Sequence, residues 1–158
     1  MENVIELLKN NDYLNIKKII QNGFDINQCD EDEVSVLAHS LILRVDEDII
    51  DLLINNGANL EEIDNDGLSI LDYAVTYSNL HIVKKIIEKG NIDVNKITRR
   101  SKFTPLMAAV SYNKKDIVEY LLEKGANKSY QDQSGFKAED FARKMKKEEI
   151  LALLNSSS

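Results

Sequence analysis

The sequence predicts an all-α solenoid, a linear stack of helix–turn–helix units, on three observations. Glycines placed after an apolar pair recur in IIQNG (19–23), LLINNG (52–57), IIEKG (86–90) and LLEKG (121–125), at spacings of 34, 33 and 35 residues. Self-similarity at such a period marks stacked supersecondary units. The segments leading to these glycines carry apolar residues at helical spacing, as in Ile117, Val118, Leu121 and Leu122. Finally, the only proline, Pro105, follows Thr104 at the head of FTPLMAAV (103–110), and blurred copies of that run stand upstream as SVLAHS (35–40) and SILDYA (69–74). A threonine caps a helix, and a proline at the first helical position lacks an N–H that would be unbonded anyway, so these runs are helix starts.

The elements follow in order. Residues 2–27, ENVIELLKNNDYLNIKKIIQNGFDIN, hold two helices with no preceding loop. SVLAHS at 35–40 pairs with IIDLLINNGAN at 49–59, and DNDGLSILDYA at 64–74 with LHIVKKIIEKG at 80–90. In 102–127 Thr104 and Pro105 open a helix that presents Leu106, Ala109 and Val110 on one face; polar Ser111–Asn113 break it; a second helix ends at Gly125. Glycine is cheapest there because a left-handed residue has no Cβ to clash. QSGFKAEDFARKMKKEEILALL (133–154) supplies a closing pair. Two insertions fall in turns, one residue in LILRVDED and one in NIDVN after Gly90, where chains tolerate them.

These motifs resemble the ankyrin repeat, whose unit runs roughly D-x-x-G-x-T-P-L-H-x-A-A, then a second helix, then L-L-x-x-G-A. TPLMAA with LLEKGAN is the best match, and the resemblance covers about 2–154. It implies five units at about 1–28, 29–62, 63–96, 97–130 and 131–155 within one domain over 1–158, the outer two serving as caps, with short β-hairpin loops projecting as fingers. Ala38, Asp72, Met107 and Asp140 stand where the family places a histidine, so that residue's loop-bracing hydrogen bond is expected to be absent or replaced. Such units shelter each other's apolar faces, and terminal units need a polar outer side. Lys9, Lys17 and Lys18 at the start, and Lys144, Lys146 and Lys147 at the end, suit that need.

Composition excludes several classes. At 158 residues with 43% hydrophobic and 30% charged residues, the chain is globular and long enough for a core. Its single cysteine, Cys29, allows no intrachain disulfide, which fits a reducing compartment and a cytoplasmic location. The start, MENVIELLKNND, lacks the pattern of a secretory signal, and no apolar run reaches the length of a bilayer span. The net charge of −7 argues against nucleic acid as partner. That charge is unevenly spread, with −13 over residues 1–79 and +6 over 80–158.

Residues with chemical potential read as structure. Ser35 and His39, near Asp30 and Asp32, read as a helix cap and a partly packed histidine rather than a triad. His81 is expected on a solvated helix face, and two histidines with one cysteine make no zinc signature. EEIDNDG (61–67) mimics the first half of a calcium loop, but the closing bidentate position is Tyr73, so it reads as a β-turn with an Asx turn at Asn65–Gly67. No glycine-rich phosphate loop occurs. Neither catalytic nor cofactor or metal residues are expected.

The resemblance implies non-enzymatic recognition of another protein, by a concave face made of the fingers and the first helix of each unit. The fingers run acidic (Asp30, Glu31, Asp32, Glu33), acidic (Glu61, Glu62, Asp64, Asp66), basic (Lys96, Arg99, Arg100, Lys102) and mixed (Lys128, Asp132, Lys137). That order either steers a partner of opposite pattern or is a solvated surface. Val34, Leu68, Phe103 and Phe136 each follow the turn-glycine position, while Tyr77 and Tyr112 end equivalent first helices. These tip residues either anchor a partner or pack on the neighbouring finger. Arg99 and Arg100 join them as candidates, and Tyr77, Phe103, Tyr112 and Arg100 are the expected hot spot. Three rivals stand beside scaffolding: an inhibitor or sequestering factor that blocks one enzyme, an enzyme or metal protein on the same stack, and weak head-to-tail self-association of an otherwise monomeric chain.

Overall fold

The computed structural model describes residues 1–156. Its ten helices are α1 (Glu2–Lys9), α2 (Tyr13–Gln21), α3 (Val36–Ile42), α4 (Glu47–Asn55), α5 (Ile70–Tyr77), α6 (Leu80–Gly90), α7 (Pro105–Ser111), α8 (Lys115–Glu123), α9 (Ala138–Lys144) and α10 (Glu148–Asn155). Each odd-numbered helix packs on the even-numbered one that follows it. The odd helices also contact one another in sequence, α1 to α3 to α5 to α7 to α9. This is the stack expected from the repeat, all-α and without strands among the described residues. The last two serines of the expected 1–158 domain lie outside those residues.

Local chemistry sets the helix starts. Ser35, Ser69 and Thr104 have extended backbones, and their hydroxyls accept from the N–H groups of Ala38, Asp72 and Met107. Pro105 occupies the first helical turn as the sequence requires. The interior first helices have neighbours on nearly every side: Ile70 to Val75 and Pro105 to Val110 are all buried. The second helices bury one stripe, such as Ile82, Val83, Ile86 and Ile87 in α6. Burial of each large apolar side chain contributes about 1.5–3 kcal/mol, and only the adjacent unit makes that burial complete.

Gly23, Gly57 and Gly125 take positive φ after their helices, as aligned. Gly90 departs from the alignment. It stays helical, and Asn91 takes the left-handed position at φ 49°, because the extra residue of NIDVN moves the turn one step along. A Cβ on Gly90 would lie 2.8 Å from Ile92 Cδ1 and 3.0 Å from Leu60 Cβ, so the glycine is needed for close packing instead.

Polar contacts tie the units together. Asn27 donates to the carbonyl of Gly57 at 3.2 Å and accepts from the Asn59 N–H at 2.8 Å. Asn95 repeats this clamp on Gly125 (2.9 Å) and Asn127 (2.7 Å). Between the second and third units polar bridges join the second helices: Lys85 to Asp51, Lys89 to Asn55 at 2.6 Å, and Asn79 to Glu47 at 2.6 Å.

The fingers are shorter than the β-hairpins implied by the resemblance. Among the described residues only Cys29–Ser35 and Ile63–Ser69 form antiparallel bridges, each isolated.

Candidate functional site

The finger face is built on a common register measured from the helix caps Ser35, Ser69, Thr104 and Lys137. The residue before each cap is a finger tip: Val34, Leu68, Phe103 and Phe136. Four residues after the caps come His39, Tyr73, Ala108 and Phe141; eight after come Leu43, Tyr77, Tyr112 and Met145.

Three fingers are held by a carboxylate. Asp30 Oδ1 accepts from the N–H groups of Asp32 (3.0 Å) and Val34 (2.9 Å). Asp64 Oδ1 does the same for Asp66 (2.9 Å) and Leu68 (2.8 Å), and Asp132 Oδ1 for Ser134 (2.8 Å) and Phe136 (2.9 Å). The Asx turn of the second finger therefore starts at Asp64, one residue before the expected Asn65. The remaining oxygen of Asp30 meets His39 Nε2 at 2.7 Å, and that of Asp64 accepts from the Tyr73 hydroxyl. Burial pushes the Asp30 carboxyl up, but the bonds from Val34, His39 and Asp32 outweigh it and hold the group below the usual carboxylate range. At Tyr73 burial and the Asp64 partner push the phenol well above its ordinary value.

The third finger carries Arg99 at this position. Its Nη2 stands 2.9 Å from Oδ1 of Asp72, a carboxylate that is 2% exposed. The contact is an ion pair without hydrogen-bond alignment, since Asp72 Oδ1 and Arg99 Nε have no hydrogen-bond partner. The other oxygen of Asp72 accepts from the Ser69 N–H at 2.9 Å and from its hydroxyl at 2.8 Å. Asp72, at a family histidine position, replaces the missing brace with a capping box and an arginine partner. Asp140 caps likewise, accepting from the Lys137 N–H at 2.8 Å.

The expected anchors occupy different environments. Val34, Leu68, Tyr77 and Phe103 are half-buried against the core. Tyr77 stacks on Tyr73 with centroids 6.3 Å apart. Tyr112 is 55% exposed and Phe136 50%. Arg100 is exposed, whereas Arg99 is committed to Asp72 and lies over the Phe103 ring at 5.6 Å. Tyr112 and Phe103 sit at opposite ends of α7, whose seven residues span about 10 Å. The expected hot spot thus falls into two clusters.

The structure adds residues that the sequence reading missed. Leu43 and Met145, 36% and 43% exposed, extend the row of Tyr77 and Tyr112 along the turn end of the face; counting eight from each cap would have found them. Phe141 sits edge-on to both Phe103 (5.4 Å) and Phe136 (6.1 Å), joining two finger tips. A cavity of about 160 Å³ opens between the loops at 60–63 and 91–98, lined by Leu60, Ile63 and Ile92 among others.

Several polar groups with chemical potential serve the fold. Ser35 Oγ caps α3, and Asp64 uses both oxygens within its own unit. Burial, then the carboxylates of Glu62, Glu33, Asp30 and Asp25, push the Cys29 thiol up, away from the thiolate a nucleophile needs. Among the described residues no group of three or more metal-ligating side chains gathers, and no helix is long and apolar enough to cross a membrane.

The comparisons agree with this architecture. The profile described as "Ankyrin repeats (3 copies)" matches residues 4–98 and 92–157. The chain is 38% identical over 72 residues to Alpha-latrocrustotoxin-Lt1a of Latrodectus tredecimguttatus, covering 46% of this chain and 5% of the toxin. It is 36% identical over 62 residues to Phosphocholine transferase AnkX of Legionella pneumophila, covering 39% of this chain and 6% of that enzyme. The similarity touches a small part of each relative's length. With a matching profile over nearly its whole length and the stacked helix pairs to go with it, the chain belongs to the ankyrin-repeat family.

Proposed function

We propose that the chain recognises another protein through its finger face and catalyses no reaction of its own. Ankyrin repeats are protein-interaction modules, and one observation points to this face in particular. The row Leu43, Tyr77, Tyr112 and Met145 places a large apolar side chain at the same register in four consecutive units, and Tyr112 is 55% exposed. Amphipathic aromatics of this kind are the usual anchors of protein interfaces. The toxin and transferase activities of the two relatives do not transfer to this chain, because the similarity covers only 5% and 6% of those proteins. A cytoplasmic setting and a monomeric state belong to the same proposal, the first resting on one unpaired cysteine.

The test is capture of the partner on the full chain, followed by titration against Tyr112→Ala. The variant is expected to keep its thermal unfolding and to weaken partner binding by about 1–2 kcal/mol, roughly tenfold. An unchanged affinity in the folded variant contradicts the proposal.

A further inference from the structure

We propose that the C-terminal end of the finger face is a docking site for an acidic protein segment that carries one aromatic or large aliphatic anchor residue. This rests on the reading that the face binds protein, and narrows it to one region and one partner chemistry. Phe103, Phe141 and Phe136 form a continuous edge-to-face cluster. Phe136 leaves half its surface in water, and a shallow cleft opens beside it, walled by Asp140, Phe141, Arg143 and Lys144. An apolar side chain laid there would cover ring surface that the chain itself leaves wet.

The charge around the cluster selects the partner. Arg100, Lys102, Lys137 and Lys144 have no ion-pair partner within 4.0 Å among the described residues, and Arg143 has only Glu139 at 3.9 Å. Some cations are engaged, Lys85 with Asp51, Arg99 with Asp72, and Lys115 with Glu149 at 3.0 Å. Others, such as Lys17, Lys18 and Lys96, are also unpaired among the described residues, but they do not stand beside the Phe136 ring. The Gln133 N–H donates to the Ser101 carbonyl at 2.7 Å, which ties the Arg100–Lys102 turn to the finger of Phe136. Of the nearby carboxylates, Asp132 accepts from the N–H groups of Ser134 and Phe136 and Asp140 from that of Lys137, so neither pairs with these cations, although both keep their charge. Free cations thus flank the exposed Phe136 ring in a chain whose net charge is −7, and carboxylates of a partner satisfy them. Cations beside aromatic rings also suit single-stranded nucleic acid. The same face, however, continues into Asp32, Glu33, Glu61 and Asp66. These repel any polyanion laid along the whole face, so the partner's carboxylates are confined to a short segment at this end, whereas a nucleic-acid strand carries its charge throughout its length.

The experiment is fluorescence anisotropy with the full chain and four labelled probes: a short glutamate-rich peptide with one central tryptophan, the same peptide with alanine for tryptophan, its lysine counterpart, and a short oligothymidylate. The tryptophan–glutamate peptide is expected to bind saturably. Phe136→Ala and the double variant Arg100→Glu/Lys102→Glu should each weaken it roughly tenfold or more, as should alanine in the peptide. All three altered side chains are at the surface, and thermal unfolding verifies that the variants fold. No saturable binding, equal binding to Phe136→Ala, equal binding of the alanine peptide, or tighter binding of oligothymidylate at the same salt overturns the proposal. So does salt-dependent self-association that the double variant abolishes, which would make a second copy the occupant. A captured partner lost with Tyr112→Ala but retained by Phe136→Ala and the double variant sinks this site and leaves the protein-binding reading intact.

Discussion

Three residues before the turn position, the second finger has Asp64 and the third has Arg99, and the two loops are closed by different means. Asp64 satisfies two N–H groups of its own loop and takes the Tyr73 hydroxyl. Its backbone N–H also bonds the Leu68 carbonyl at 3.1 Å, and the homologous bond is missing in the third finger. Arg99 has no acceptor atom to offer, so its guanidinium reaches across to Asp72 of the preceding unit. Two residues before Asp64 and Arg99 the contrast recurs: the second finger has half-buried Glu62 and the third has Ile97, 41% exposed. A carboxylate at the turn makes a finger that holds its own shape. An arginine there makes a finger whose shape depends on its neighbour, and it frees the loop to carry Arg100 and Lys102 outward.

The largest expected effect breaks the third finger's tie. Arg99→Ala leaves Asp72 buried beside no cation and should cost about 3 kcal/mol in urea unfolding, at the low end for a broken buried pair because Ser69 still bonds one oxygen. Replacing both partners, as Asp72→Asn with Arg99→Met, should recover much of that loss; a single-variant cost below about 1 kcal/mol would mean the pair is incidental. Next comes the turn of the second finger. Gly67 has φ +82°, and a Cβ there would stand 2.6 Å from the Thr98 carbonyl oxygen of the third finger. Gly67→Ala should therefore destabilise by about 2 kcal/mol, while Lys102→Gly, at φ +55°, should stay within about 1 kcal/mol of the parent. Equal effects at the two turns would deny the close approach of the fingers.

The smallest effect concerns pH. Burial, opposed by the Ser35 hydroxyl and aided by the charges of Asp25 and Glu33, holds the Glu62 carboxyl above the ordinary carboxylate range. The folded chain binds that proton more tightly than the unfolded chain, so stability falls as pH rises from about 4.3 through the folded value. Glu62→Gln removes this decline: thermal unfolding should find the two proteins alike near the acid end of that window and the variant more stable near neutrality. Parallel pH profiles would contradict it.

The stack was legible because its causes are local and repeated. Thr104–Pro105 and the turn glycines state helix ends within a few residues, and four copies of a period outweigh any one blurred unit. The departures arise where a distant residue decides. Gly90 looked like a helix terminator, but its role is set by Leu60 and Ile92. Arg99 and Arg100 read as equivalent finger cations, and only the fold brings the first to Asp72. Phe141 is silent in sequence because its partners, Phe103 and Phe136, lie on two fingers. The row through Leu43 and Met145 was within reach of register counting from the caps.

Hydrogen exchange on the captured complex tests the recognition face most directly. Protection on partner binding is expected at the finger turns and at the ends of α5, α7 and α9 around Tyr77, Tyr112 and Met145. Protection confined instead to the outer sides of α6 and α8, with the fingers unchanged, would contradict the assignment of this face to recognition.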